Sequence, residues 1–359
     1  MKEKKPENPL SDLTAPLNVN IEVTKTCNLS CIYCSASSEH DAPQEELTLD
    51  ELFDLAEQLK EMKVFRIKIT GGEPFYKKGV FEFLRRISMH HRITINTNCT
   101  LITKERVRAL TKINLDCLIV SLDSSDAEIN DNIRGKGSFK RVIYALKLLS
   151  EANIPVNILA TLSRYNYKNF LGLTDIAARF GINGISLNNV DIRGRAKDIF
   201  ESISLTTEEK KKISDIIKEN NNKNETKISW AQAHWYDLPE KALALQKEDI
   251  KRTNFLLPCR AGVNQCGIFF NGDVVPCINF TTLVAGNIRK NSLKEIWQES
   301  DVFNSMKVLS QTKTDQIKKC TGCKYLPVCA GGCRAKAMEH NGNIYEIDPE
   351  CLYHNNLPS

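Results

Sequence analysis

No apolar run in the 359-residue chain approaches the roughly 20 residues that a membrane-spanning helix needs. The opening MKEKKPENPL is charged and lacks the apolar stretch of a secretory signal. Charge of one sign is also scarce, because 49 Lys and Arg against 44 Asp and Glu leave only +5, thinly spread. The densest basic cluster, Lys210 to Lys212, follows Glu208 and Glu209 on an expected helix, which is a solvated face and not a nucleic-acid patch. There is no internal repeat. These absences leave a soluble cytoplasmic protein as the expectation, with neither membrane nor nucleic acid as partner. A hydrophobic content of 42% allows one large domain plus a smaller one.

Cysteine, by contrast, is plentiful. There are 13, an odd number, in a chain expected in a compartment that reduces disulfides, so their clustering points to metal or redox chemistry. Three fall in CNLSCIYC (27–34) and eight between Cys259 and Cys351; only Cys99 and Cys117 stand apart.

From about residue 18 the sequence alternates strand-like and helical patterns. Expected strands are NVNIEVT (18–24), FRIKIT (65–70), ITINTN (93–98), CLIVSLD (117–123), VNILATL (156–162) and GISLNNV (184–190). Amphipathic segments lie between them, and Thr48 and Glu51 have capping-box spacing. Six such units imply an α/β fold with a parallel sheet, while periodicity leaves open a doubly wound sheet or a partial barrel. KENNNKNETK (218–227) reads as a solvated loop near a domain boundary. After Cys259 the chain becomes cysteine-rich and punctuated by glycine.

A loop with Cys27, Cys31 and Cys34 is a partial zinc site, a set of buried thiols or an iron–sulfur site. Its C-x3-C-x2-C spacing after a strand differs from the paired C-x2-C knuckles of zinc. A [4Fe–4S] cube that only carries electrons takes four thiolates. Three would leave one iron open for a ligand.

CNLSCIYC, with Tyr33 before the third cysteine, resembles the cluster loop of radical S-adenosylmethionine (SAM) enzymes. GGEP (71–74), INTN (95–98), SLD (121–123) and Arg134 in IRGKGSF follow in the family's order. The resemblance implies SAM contacts at Tyr33, Gly71, Gly72, Glu73, Thr97, Asn98, Ser121, Asp123 and Arg134. Within it Arg134 would grip the methionine carboxylate as a fork, a surface ion pair being the plainer alternative. It also favours a partial (β/α)6 barrel over a doubly wound sheet. The chemistry it implies is reductive cleavage of SAM to a 5′-deoxyadenosyl radical that abstracts a substrate hydrogen, with a reductant such as flavodoxin or ferredoxin.

CRAG…NGDVVPC, GNIRKNSLKEIW and CAGGCRAKA are similar to the SPASM extension of radical SAM maturases. The resemblance divides the chain into a tail (1–16), a radical SAM core (17–205), a helical and polar linker (206–255) and a SPASM domain (256–359). By position it assigns Cys259, Cys266, Cys277 and Cys333 to one auxiliary [4Fe–4S] cluster and Cys320, Cys323, Cys329 and Cys351 to a second, making three clusters in all. A structural zinc site is the alternative, though Cys323 and Cys329 stand closer than zinc-ribbon knuckles do.

The family implies a peptide, protein or small cofactor as substrate, and a cross-linked peptide is the expectation. Sulfatase maturases carry Asp after the third auxiliary cysteine, whereas Ile278 follows Cys277 here. With 26 residues before Cys27, a peptide would be recruited by a separate recognition protein or by the core. Cys99 stands where related sequences read TNG, and is either a small buried thiol or a hydrogen donor near SAM; Cys117 reads as buried. A maturase of a small-molecule or tetrapyrrole cofactor and a peptide epimerase using Cys99 are alternatives. A non-catalytic electron carrier would need none of the SAM contacts.

Overall fold

The computed structural model describes residues 13–230 and 259–353, apart from 42, 44, 313, 318, 322, 324 and 352. Much of the expected tail and the later half of the expected linker lie outside the described residues. The chain divides into two compact units, one of residues 21–60 and 65–233, the other of residues 1–20, 61–64 and 234–359.

Seven strands, the first of them in the first unit only from residue 21, build the sheet of that unit: β1 Asn18–Glu22, β2 Arg66–Thr70, β3 Arg92–Thr97, β4 Leu115–Ser121, β5 Val156–Leu162, β6 Gly184–Asn189 and β7 Lys227–Trp230. Their order in the sheet is their order in the chain, and the pairs from β2 to β7 are parallel. A doubly wound sheet would reverse its order at a switch point; this one does not. Crossovers between parallel strands are right-handed, so an unbroken order sends every connecting helix to the same face.

Strand burial shows which face that is. Ile69, Ile95, Val120 and Ala160 are completely buried, with Ile67, Ile93, Leu118 and Ile158 beneath them. Side chains one residue along point to the opposite face. There the ends of β2 to β5 carry Thr70, Asn96, Ser121 and Thr161, all half-buried and polar.

The helices follow the local signals. α1 Leu49–Glu61 begins with Thr48 and Glu51 exchanging backbone hydrogen bonds at 2.7 and 3.2 Å, as their spacing implies. α2 Val80–Ser88, α3 Lys104–Leu110, α4 Ala127–Arg134, α5 Ser138–Glu151 and α6 Leu173–Arg179 come next, then the single turn α7 Phe200–Ile203. α8 Thr207–Lys223 carries Lys211 and Lys212 on its exposed side, as a solvated face.

The Asn-rich run is not the loop its polarity suggests. Residues up to Lys223 complete α8, and Lys227 opens β7, a seventh strand that composition did not reveal. The asparagines act as backbone substitutes. Asn221 exchanges two 2.8 Å hydrogen bonds with the main chain of Ile228, and the buried Asn220 donates to Thr226 O at 3.3 Å.

In the second unit, β8 Gln265–Ile268, β9 Asp273–Val275 and β10 Gly286–Asn287 form an antiparallel meander. Short helices at 293–299, 301–310, 326–329 and 334–341 surround an apolar cluster of Phe280, Met306, Leu309, Ile317 and Leu326. Cys320 belongs to that cluster, and Cys259, Cys277, Cys323 and Cys333 pack against it. No described helix is long and apolar enough to cross a membrane.

Ile95 lies at the centre of the buried sheet face with no exposed surface. Ile95→Ala should lower unfolding free energy by about 2–5 kcal/mol, measured by the urea midpoint.

Candidate active site

The loop of Cys27, Cys31 and Cys34 begins five residues beyond β1 and is held by backbone bonds. Cys27 N donates to Glu39 O at 2.7 Å, Ile32 N to Ile133 O at 3.1 Å and Cys34 N to Cys31 O at 3.3 Å. The three thiols are free of disulfides.

Backbone proximity explains GGEP. Gly72 N donates to Thr24 O at 2.7 Å and Glu73 N to Thr26 O at 2.8 Å, laying the turn flat on the segment that leads into the cysteine loop. A Cβ on Gly71 would lie 2.3 Å from Thr24 O, and one on Gly72 2.2 Å from Thr26 O. Only glycine permits that approach.

Between the cysteine loop and the strand ends lies an open cavity of about 200 Å³. Ten of the residues expected to contact SAM or iron line it: Cys27, Cys31, Tyr33, Cys34, Gly71, Gly72, Thr97, Asn98, Ser121 and Arg134. Thr70, Asn96 and Thr161 complete the polar wall from the helix-free face of the sheet. Asn98 Nδ2 lies 3.6 Å from Cys27 Sγ, within reach of a hydrogen bond to sulfur.

Three expected site residues stand behind this wall, all with no exposed surface. Glu73 accepts from Asn98 N at 2.7 Å, Thr97 Oγ1 at 2.8 Å and Phe75 N at 3.1 Å, so its carboxyl joins two strand ends; burial pushes its pKa up to about 7. Asp123 accepts from Tyr33 Oη and from Thr161 N at 2.8 Å, and pairs with Arg134 Nε at 2.5 Å. It therefore positions the arginine from behind. Cys99 is sealed in, its thiol raised by burial, and its amide donates to Thr97 Oγ1 at 2.8 Å. This placement fits the buried-thiol reading and gives no geometric support to hydrogen donation. Its φ of 61° lies in the left-handed region, which costs a non-glycine residue roughly 1–2 kcal/mol and accounts for glycine in related sequences. Cys117 is half-buried at the start of β4.

Sequence reading missed Arg195. Its Nε donates to Cys31 O at 2.9 Å, its Nη1 to Ser38 O at 2.7 Å and its amide to Cys34 O at 3.0 Å. The other terminal nitrogen is buried with no hydrogen-bond partner, and the residue lines the cavity. The available signal was RGRA just after β6, where Gly194 (φ 62°) would place a Cβ 2.2 Å from Cys34 O. Glu22, at the C-terminal end of β1, was also missed; burial lifts its carboxyl to about 7 against the pull of Arg193 and Lys25.

The donor set fits sulfur-ligated iron with an anionic ligand. Burial raises the Cys27 thiol to about 11 and also pushes the Cys31 thiol up, so their thiolates need the positive charge that iron supplies. Arg134 and the orphaned Arg195 nitrogen offer donors to an anion.

In the second unit, the eight cysteines fall into two electrostatic neighbourhoods. Cys259 has Cys333 and Cys277 as neighbours, and Cys266 has Cys277. Cys320 has Cys351 and Cys323, and Cys329 has Cys351 and Cys320. Among the described residues no three cysteine, histidine or carboxylate groups converge on a single-ion site. In a cube each thiolate binds a different iron, so its ligands stand farther apart.

Residues 21–177 match the Radical SAM superfamily, and residues 259–324 match SPASM, an iron–sulfur cluster-binding domain. The chain thus carries a radical SAM domain followed by a SPASM domain. Among relatives of this chain is the AdoMet-dependent heme synthase of Methanosarcina barkeri, 29% identical over 347 residues, 94% of this chain and 97% of that protein. Mycofactocin maturase MftC of Mycolicibacterium smegmatis is 28% identical, with 95% and 83% covered. PqqA peptide cyclase of Bradyrhizobium diazoefficiens is 25% identical, with 94% and 86% covered. Among solved structures, Streptococcus suis SuiB bound to S-adenosylmethionine matches with a TM-score of 0.74 at 21% identity, covering 95% of this chain and 78% of that one, a likeness of fold.

Arg134→Ala should destabilise the fold by about 3–5 kcal/mol, because Asp123 is left buried and unpaired; denaturant titration measures it. A second expectation concerns Glu22. A carboxyl raised from 4.5 to about 7 holds its proton more tightly in the native state, so its stabilisation is full below pH 4.5 and is lost as pH rises through about 7. Glu22→Gln should flatten the stability–pH curve across that window.

Proposed function

We propose that the protein is a radical SAM/SPASM maturase that oxidatively modifies a ribosomally made peptide, with a cross-link as the product. The observation that carries the reading is one cavity, lined by three cysteines and by the Gly71–Gly72, Ser121 and Arg134 positions, in a chain with eight further cysteines in two neighbourhoods of four. Cys27, Cys31 and Cys34 would hold a [4Fe–4S] cluster with one iron free for SAM. The turn at Gly71 and Gly72 would receive the amino group through backbone oxygens, while Ser121 and the fork of Arg134 would take the carboxylate. When bound, cluster and SAM supply hydrogen-atom abstraction from carbon. Asp123 keeps the Arg134 guanidinium oriented, and Arg195 fixes the carbonyls of Cys31, Cys34 and Ser38 around the cavity.

Cys259, Cys266, Cys277 and Cys333 would hold one auxiliary cluster, and Cys320, Cys323, Cys329 and Cys351 another. Four thiolates leave no open iron, which suits electron transfer and so a net oxidation. The proposed division is a core at 17–205, a linker at 206–255 and an auxiliary domain at 256–359. A cytoplasmic setting with flavodoxin or ferredoxin as reductant, and a recognition protein for the peptide, agree with this chemistry. The similarity to PqqA peptide cyclase supports a peptide substrate. A second reading, maturation of a tetrapyrrole, draws on the similarity to AdoMet-dependent heme synthase.

Anaerobically reconstituted protein should hold about twelve irons, and Cys27, Cys31 and Cys34 changed together to Ala should remove about four of them. Incubated with reductant, SAM and a peptide encoded beside its gene, it should form 5′-deoxyadenosine and a product about two mass units lighter. An untouched peptide with conversion of a tetrapyrrole would establish the second reading. A peptide of unchanged formula that gains one solvent deuteron, dependent on Cys99, would establish epimerisation instead.

A further inference from the structure

Arg334 is a buried cation that the proposed chemistry leaves unused. It follows Cys333 at the start of the helix Arg334–Asn341 and is 1% exposed. Nη1 donates to Ile344 O and Glu346 O at 2.8 Å each, and Nη2 donates to Gly331 O. Nε is buried with no hydrogen-bond partner. Three carbonyls thus fix the guanidinium without neutralising it, and a buried charge needs an opposite charge nearby.

The groups that surround it are thiols and one carboxyl. Cys320, from one set, shares a buried cluster with Ala335, the next residue, and Cys259 and Cys333, from the other set, pack against that cluster; all three act on the guanidinium together with Asp348. Asp348 is itself buried and accepts from Cys333 N at 2.6 Å and Glu350 N at 2.9 Å. Asp348 is the foremost opposing charge, and the thiols of both sets act on the guanidinium beside it. Fully ligated clusters are net negative, because four thiolates outweigh the charge of the cube.

We propose that Arg334 is a shared counter-cation for both auxiliary sites, a positioning residue that raises the reduction potential of the two together. This rests on the two sets binding iron–sulfur clusters, as proposed above. Reduction adds one negative charge to a cluster, and a fixed guanidinium nearby favours that state. The fixed charge adds its potential at both sets, and reduction of one opposes reduction of the other only through their mutual repulsion. Asp348 opposes the effect from the same pocket.

The test uses the full chain with Cys27, Cys31 and Cys34 changed to Ala, so that only auxiliary signals remain. Iron content and redox titration followed by electron paramagnetic resonance are compared for this parent, Arg334→Gln and Asp348→Asn. With iron retained, Arg334→Gln should lower both midpoint potentials and Asp348→Asn should raise them. A loosened, wetter pocket would move both variants the same way, and that result, unchanged potentials, or a shift at one cluster alone would overturn the proposal. If Arg334→Gln loses iron, Arg334→Lys keeps the charge without the carbonyl clamp. It should then hold the parent's potentials while Asp348→Asn still raises them, and a fall in Arg334→Lys with full iron overturns the idea. A parent without iron overturns the cluster assignment itself, and this inference with it.

Discussion

A single buried carboxylate sets the frame of the candidate site. Asp123 follows β4 with no exposed surface, and it reaches three other elements at once: Tyr33 of the cysteine loop, Arg134 at the end of α4 and the Thr161 amide in β5. Its own backbone is also held, with its amide donating to Asn130 Oδ1 at 3.1 Å and its carbonyl accepting from Asn166 Nδ2 at 2.8 Å. An ionised group in the interior is tolerated only when its partners are fixed. The charge on Asp123 therefore dictates where loop, helix and strand can stand. Arg134 faces the cavity because its Nε is committed behind it.

The same logic of charge and burial runs through the molecule with different partners. Cys27, Cys31, Cys259 and Cys320 all lose solvation, and their thiols are raised accordingly. The half-buried Arg195 and the buried Arg334 are the complementary case, cations with one buried nitrogen each left without a hydrogen bond. Sulfur that resists ionising alone and guanidinium groups held beside it are two halves of one balance, which bound metal would close. Backbone closeness supplies the rest of the precision. Gly71, Gly72 and Gly194 each let a turn lie directly on the cysteine loop or its root, where any side chain would collide with a carbonyl oxygen.

Much of the fold was legible beforehand. The period-two pattern of VNILATL and GISLNN marks β5 and β6 to within a residue, since one face must be apolar to meet the helices. Thr48 and Glu51 announce α1 because their reciprocal bonds are local. KENNNKNETK misled because polarity reports solvation only when side chains face water; there Asn220 and Asn221 bond to the backbone around β7. The side chain of Glu73 is a related case, buried behind the cavity wall. A motif fixes which residues recur, but not which way a carboxylate turns.

By itself the sequence determined the alternation of strands and helices, the grouping of three and eight cysteines, and the short loops at strand ends where a ligand site would form. These are properties of neighbours along the chain, set by periodicity, spacing and capping. Tertiary structure alone decided that the strands follow one another without reversal, that β7 extends the sheet, and that Glu73, Cys99 and Asp123 lie behind the cavity wall. It also brought Arg195, 161 residues after Cys34, onto the carbonyls of the cysteine loop, and set Arg334 among thiols from both cysteine groups. Such placements depend on which distant groups share a low-dielectric interior, and no local pattern encodes them.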